Sequence, residues 1–288
     1  MTAPVRVLVT GAGGAIGRRL RARLERDDVT ASYLVSPRSS ARPADPLVDA
    51  VDITDRDRVG EVVAARRPTA IVHLAALTGA ACDADPERAA AVNVEAVRSL
   101  AEIAREHAVS RVVLASTSAV YGDRYGSPIA ETGELELASR YAQTKREAEL
   151  ILADAARRPG GPSAVALRIF NVYGPGMVSS LANRLVQAPP ESPVALAGLD
   201  GFVRDYVHVD DVAAALAAAA HVELPQPWTV INVGSGVPTS NRRLVAALEP
   251  VNYTVEAPRA SYSCANIEVA RRMLGFDPTD ELSRDSSR

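Results

Sequence analysis

The sequence predicts an α/β fold, a doubly wound parallel sheet followed by a smaller C-terminal region. Three observations predict it. Short apolar runs alternate with stretches of helical period as far as residue 170. A glycine-rich turn joins the first run directly to the first helix. Beyond residue 170, prolines at 175, 189, 190, 193, 225, 227, 238, 250 and 258 break the chain into short elements. The expected division is a sheet domain over 1–170, a smaller region over 171–280 with some elements returning to the sheet domain, and a disordered tail over 281–288.

Each element has its own reason. Val5 to Thr10 is apolar and stops at Gly11, which reads as a strand buried on both faces. Ala15 to Arg26 places Ile16, Leu20 and Leu24 at helical spacing. Ser32 to Ser36 and Leu47 to Val51 read as the second and third strands, and Asp55 to Arg66 as a helix that Pro68 closes. Ala70 to Ala76 reads as the fourth strand. Pro86 opens a long helix reaching about His107. Arg111 to Ser116 is the fifth strand, and Ser139 to Arg158 a helix ended by Pro159-Gly160-Gly161-Pro162. Ala164 to Phe170 is the sixth strand.

Composition excludes several classes. About 47% of the 288 residues are hydrophobic, 23% are charged and the formal charge is -3, so nothing marks a nucleic-acid or membrane partner. The longest apolar run, Val212 to Ala220, is far shorter than the ~20 residues of a membrane span. The N-terminus lacks the charged start and long apolar core of a signal peptide, and the expected location is cytoplasmic. Cys82 and Cys264 are too few for a disulfide framework, and His73, His107, His208 and His221 show no paired spacing, so no metal is expected. The chain has one lysine, Lys145, against a large excess of arginine.

The turn Thr10-Gly11-Ala12-Gly13-Gly14-Ala15-Ile16-Gly17 lies between strand and helix. Glycines there let a dinucleotide pyrophosphate approach the backbone, and the helix N-terminus offers it free N–H donors. Gly11, Gly14, Ala15, Ile16 and Gly17 are therefore cofactor-binding candidates of a Rossmann-type domain. An acidic residue commonly ends the second strand and binds the adenosine ribose. Here Ser36 and Arg38 stand there, a hydroxyl and a guanidinium suited to a 2′-phosphate, so NADP(H) is favoured over NAD(H). Asp52, with Ile53, follows the third strand, where a carboxylate can accept from the adenine amino group.

Tyr141 and Lys145 are four apart on a helix and share a face. A neighbouring ammonium favours a phenolate, which brings a tyrosine toward useful acid–base chemistry. The fifth strand ends in Ser116, Thr117 and Ser118, which offer hydroxyls to hold a reacting oxygen.

Together these residues resemble the extended short-chain dehydrogenase/reductase family, in its nucleotide-sugar epimerase, dehydratase and reductase branch. The segments carrying the resemblance are TGAGGAIG at 10–17, HLAA at 73–76, STSAVYG at 116–122, YAQTK at 141–145, RIFNVYGPG at 168–176, VRDYVHVDD at 203–211, NVGSG at 232–236 and ARRMLGFDP at 270–278. The resemblance implies a Rossmann-type sheet with a small C-terminal substrate-binding region. It implies Tyr141 as acid/base, Lys145 on the nicotinamide ribose and Thr117 on the substrate oxygen. Leu74, Ala75 and Ala76 would line the cofactor, and Asn93 would brace the central sheet. Asn171 and Arg204 would meet the diphosphate of a nucleotide sugar, with Ser118 also on the substrate side. His208 reads as structural. A homodimer through the helices at 86–107 and 139–158 is implied as well.

Two departures refine this. Ser118-Ala119 replace the Asp-Glu that follows the threonine in 4,6-dehydratases, so elimination is not expected. The substrate-side arginine near 256–266 has no clear match, and Arg259 is its stand-in. The leading expectation is an NADP(H)-dependent nucleotide-sugar 4-ketoreductase. The alternative is an NAD-dependent nucleotide-sugar 4-epimerase, and a remote third is a non-catalytic dinucleotide sensor.

Overall fold

The structure is a computed structural model that describes residues 5–38, 45–279 and 282. Six strands, β1 (Arg6–Thr10), β2 (Thr30–Val35), β3 (Val48–Ala50), β4 (Ala70–His73), β5 (Arg111–Thr117) and β6 (Ser163–Ile169), join a seventh, Trp228–Val233, in one sheet. Its order is Trp228–Val233, β6, β5, β4, β1, β2, β3, and every pairing is parallel. The order reverses between β1 and β4, which opens a crevice at the C-terminal ends of those strands.

Alternation along the strands builds two cores. Val7 and Val9 of β1, with Val72, Val113, Val165 and Ile231, face helix α1 (Ala15–Arg26) and the helix Val209–Ala219. Leu8 of β1, with Ile71, Val112, Leu114 and Ala166, faces helix α2 (Arg56–Arg66) and the helices Ala96–Glu106 and Arg140–Arg157. Burial on both faces explains why the strands are nearly continuous apolar runs.

The fourth strand is shorter than the sequence predicts. It ends at His73: Leu74 N donates to Thr10 O at 3.2 Å as the last rung, and Ala75 N turns instead to the Thr10 side chain, Oγ1, at 3.4 Å. The chain there bends over the glycine loop. The helix opened by Pro86 is continuous but contains a π-helical turn, Ala91–Glu95. That turn carries the buried Asn93, whose side chain accepts from Leu77 N and donates to Leu77 O and to Thr144 Oγ1. Asn93 thus ties the loop after β4 to the helix Arg140–Arg157, rather than bracing the sheet itself.

Past residue 170 the chain builds small pairings beside the sheet. Phe202–Arg204 lies between Thr239–Ser240 and Ser261–Ser263, and Asn171–Tyr173 pairs with Tyr206–His208. A separate core of Tyr173, Leu185, Leu196, Tyr206, Leu244 and Leu248 holds this part together. His208 caps the helix Val209–Ala219 by accepting from Asp210 N, and its ring packs edge-on to Tyr173. The expected tail falls outside the described residues except for Leu282, which packs beside this core. No helix among the described residues is long and apolar enough to cross a membrane.

Candidate active site

The glycine loop is packed too tightly for side chains. Gly11 has φ +70°, and a Cβ there would lie 2.6 Å from Ala75 N. A Cβ on Gly17 would lie 2.6 Å from Ala12 Cα. Helix α1 begins after Gly14 with no side-chain cap and no acidic residue in its first turn, so its leading N–H groups remain available to an anion.

Two clefts meet over this loop and share Gly11, Gly14, Leu74 and Ala76. One, of about 300 Å³, is lined by Ser36, Asp52, Ile53, Ala75 and Arg88. The Asp52 carboxylate accepts from Arg88 Nη2 at 2.8 Å and from Thr54 N and Oγ1, which hold it down at about 2, with Arg88 the main cause. Arg38 is exposed and does not line this cleft.

The second cleft, of about 430 Å³, collects Ala15, Ile16, Gly17, Thr117, Tyr141 and Lys145, together with Met177 and Ser179. Ser139 caps the helix Arg140–Arg157 by accepting from Ala142 N at 3.1 Å, which sets Tyr141 and Lys145 in its first two turns. Burial pushes the Tyr141 phenol up to about 12, against the hydrogen bond from Thr117. Burial likewise pushes Lys145 down to about 8, against Glu149 one turn later. The expected lowering of the phenol is not what this arrangement gives: burial, the largest cause, raises it, and Thr117 rather than Lys145 is the group that acts the other way. The Lys145 side chain is 2% exposed, and among the described residues its ammonium has no hydrogen-bonded partner.

Around this pair most polar groups bond to one another, while among the described residues His73 Nε2 is buried without a partner. Ser116 Oγ donates to Glu149 Oε1 at 2.6 Å, so it is not available to a substrate. Glu149 also accepts from Arg168 Nε at 3.0 Å and Nη2 at 2.8 Å, and from Arg146 Nη1 at 2.9 Å. Arg168 then donates to Tyr121 Oη at 2.8 Å, which donates to Asn232 Oδ1 at 2.8 Å. His73 shares a 2.8 Å hydrogen bond between Nδ1 and Thr10 Oγ1, and burial with the nearby Lys145 pushes it down to about 3, a neutral ring.

A third cleft continues from the second through Val172, Met177 and Ser179. Asn171, Arg184, Phe202, Arg204 and Tyr206 line it. Asn171 and Arg204 are thus brought together, whereas Ser118 sits in the turn Ser118–Tyr121 and lines none of the three clefts. Arg204 pairs with Asp123, not with the acidic residues that follow it in sequence. Reading the sequence missed Arg88, Asp123, Arg184 and Ser261. Only Asp123 had a local signal, its place directly after the STSAVYG segment. No group of three or more His, Cys, Asp or Glu among the described residues is placed to hold a metal ion.

The profile of the NAD dependent epimerase/dehydratase family matches residues 7–234. The chain belongs to this family. Similar proteins share most of its length. A UDP-glucose 4-epimerase from Rhizobium leguminosarum bv. trifolii is 32% identical over 260 residues, 81% of this chain and 79% of the relative. The solved UDP-glucose-4-epimerase of Stenotrophomonas maltophila, with bound NAD and formylated UDP-arabinopyranose, superimposes with a TM-score of 0.88 at 26% identity, over 99% of this chain and 96% of that one. MoeE5 in complex with UDP-glucuronic acid and NAD gives 0.85 at 28% identity, over 98% and 96%.

These solved structures correct the cofactor expectation. Both solved structures hold NAD, so the reading of Ser36 and Arg38 as an NADP(H) site does not stand. The local geometry agrees: the Arg38 side chain, the only charge in that reading, stays exposed outside the cleft lining, and the Ser36 hydroxyl that does line it carries no charge to meet a phosphate. The ketoreductase expectation drew its motive from NADPH and yields to the epimerase alternative, which the relatives in this family favour.

Proposed function

We propose that this chain is an NAD-dependent nucleotide-sugar 4-epimerase acting on a UDP-sugar. The observation that carries the reading is the continuity of the clefts. Thr117, Tyr141 and Lys145 face the same space as the glycine loop, and that space runs on to Asn171 and Arg204. The residues present fit a dinucleotide, since side chains at Gly11 and Gly17 are excluded by the loop's own close backbone packing, helix α1 opens uncapped beside it, and among the described residues the buried Lys145 ammonium has no hydrogen-bonded acceptor. Bound NAD would take up and return the hydride of sugar C4, and its oxidised ring would add a positive charge that favours the Tyr141 phenolate.

The chain's own residues do the rest. Tyr141 accepts the proton of the C4 hydroxyl and later gives it back to the same oxygen. Thr117 holds that oxygen with its hydroxyl. Lys145 donates to the cofactor ribose. Gly11, Gly14, Ala15, Ile16 and Gly17 cradle the pyrophosphate, while Leu74, Ala75 and Ala76 line the cofactor and Asp52 and Ile53 receive the adenine. Arg204 offers its positive charge and its remaining N–H groups to the diphosphate, with Asn171 beside it. Within this reading residues 1–170 bind the dinucleotide and 171–280 mainly the sugar nucleotide. A homodimer packed through the helices Ala96–Glu106 and Arg140–Arg157 belongs to it too, with Leu150 52% exposed on the second.

Two measurements test it. The purified protein is denatured and its supernatant analysed for nucleotides by chromatography, and stoichiometric NAD(H) is expected. Proton NMR should then show UDP-glucose and UDP-galactose, or another 4-epimeric UDP-sugar pair, interconverting without added cofactor. An enzyme that is purified empty and reduces a 4-keto sugar only with added NADPH would sink the reading.

A further inference from the structure

Arg204 belongs to a polar cluster that the reaction does not use directly. Its Nη2 donates to Ser261 Oγ at 2.7 Å and to Asp123 Oδ2 at 3.4 Å, and its Nη1 donates to Val203 O at 2.8 Å. The same Asp123 oxygen accepts from Arg259 Nη2 at 2.8 Å and from Ser261 Oγ at 2.5 Å. One carboxylate oxygen therefore gathers two guanidiniums and a hydroxyl from separate parts of the chain.

We infer that Asp123 is a positioning residue for the nucleotide diphosphate: from outside the cleft, its carboxylate holds Arg204 and Arg259 together and fixes both to the end of β5 that carries Thr117. The inference rests on the reading of Arg204 as a phosphate ligand. Three observations carry it. Two like charges repel unless an opposite charge lies between them, and Asp123 is the carboxylate that touches both. Arg259 is 67% exposed, so its side chain is free to swing away unless it is held. Asp123, like Arg259 and Ser261, does not line the Arg204 cleft, so its charge is set back from the phosphates it would otherwise repel and Arg204 alone of the cluster reaches the cleft wall.

The backbone makes the holder stiff. Tyr262 N donates to Asp123 O at 2.7 Å, and Arg124 bridges to Tyr262. The strand Ser261–Ser263 in turn pairs with Phe202–Arg204, placing Ser263 opposite Arg204. The loop that leaves the catalytic strand is thereby stitched to the strand that presents the arginine. The distance from diphosphate to reacting C4 would be set by this stitch.

The test uses Asp123→Asn, which keeps the shape and removes the charge. Binding of UDP is measured by calorimetry and turnover with the UDP-sugar that the wild type converts. The expected result is a UDP Kd and a sugar KM both raised about tenfold, the size of one lost charge-assisted contact, with kcat within about twofold and NAD content unchanged. Asp123→Glu should recover part of the loss. In an Arg204→Ala/Arg259→Ala background, Asp123→Asn should add nothing. Unchanged or tighter UDP binding in Asp123→Asn, or a full further loss in the double-arginine background, overturns the inference and leaves the epimerase reading standing. Loss of NAD content with the mutation also overturns it, since that marks a merely structural role. A wild type that binds no UDP removes both.

Discussion

Glu149→Gln is the perturbation that probes the site from behind. Glu149 is fully buried and accepts four hydrogen bonds, two of them from Arg168, itself 3% exposed. Glutamine keeps the shape but leaves the buried guanidinium without its counter-charge. Breaking a buried pair in this way costs about 3–5 kcal/mol. At roughly 2 °C per kcal/mol for a chain of this size, Tm should fall by roughly 6–10 °C. Burial works against the Glu149 carboxylate, but Arg168, Ser116 and Arg146 outweigh it and hold it below its usual range. Its stabilisation is therefore present above the unfolded carboxyl value and is lost as pH falls through the lower folded one. The variant should lose that acid-side slope.

A second readout reaches the chemistry. Burial lowers Lys145 to about 8, and Glu149, ahead of Cys82, is the larger of the two groups that hold it up. Removing its charge should lower the ammonium further and move the alkaline limb of kcat/KM toward neutral pH. The assay is a thermal melt at neutral and acid pH with a pH–rate profile of the same preparation. A Tm within 1 °C of wild type, or an alkaline limb that does not move, would refute the argument that this ion pair supports both the fold and the lysine.

Three further outcomes follow from the geometry. Tyr141→Phe should lower kcat by about 10²–10⁴-fold while leaving NAD content intact, checked by turnover and by chromatography of the released nucleotide. Gly11→Ala places a methyl 2.6 Å from Ala75 N at a positive φ, so the variant should be isolated without dinucleotide and with a lowered Tm. Asn93→Ala removes the bond to Thr144 and both bonds to Leu77, and should cost about 1–3 kcal/mol in urea denaturation, with the orphaned Leu77 amide the main cause.

What the sequence disclosed was the local part of the structure. The glycine loop, the apolar strands and the Tyr141–Lys145 spacing each depend on neighbours a few residues away, and all were legible. The end of β4 was not, because the bend at His73 is imposed by Thr10, which is remote in sequence. Arg88 reaches Asp52, and Arg204 reaches Asp123 and Ser261, only once the chain has folded. The cofactor reading failed for a related reason. Ser36 and Arg38 were judged by what their side chains could bind, but the guanidinium lies outside the cleft and leaves only a neutral hydroxyl there. The depressed phenol was also expected from spacing alone, and burial, which spacing does not reveal, moved it the other way.

The chain's single lysine has a practical use that its chemistry does not suggest. Reagents that modify primary amines usually scatter over a protein's surface, but here the only side-chain amine lies at the floor of the cleft. Besides the terminal amine, such a reagent has one address. Mapped to the peptide that carries Lys145, its mass increment would report open sites, with no substrate and no coupled assay. A covalent fragment built on an aldehyde or an activated ester would find selectivity without having to be designed for it.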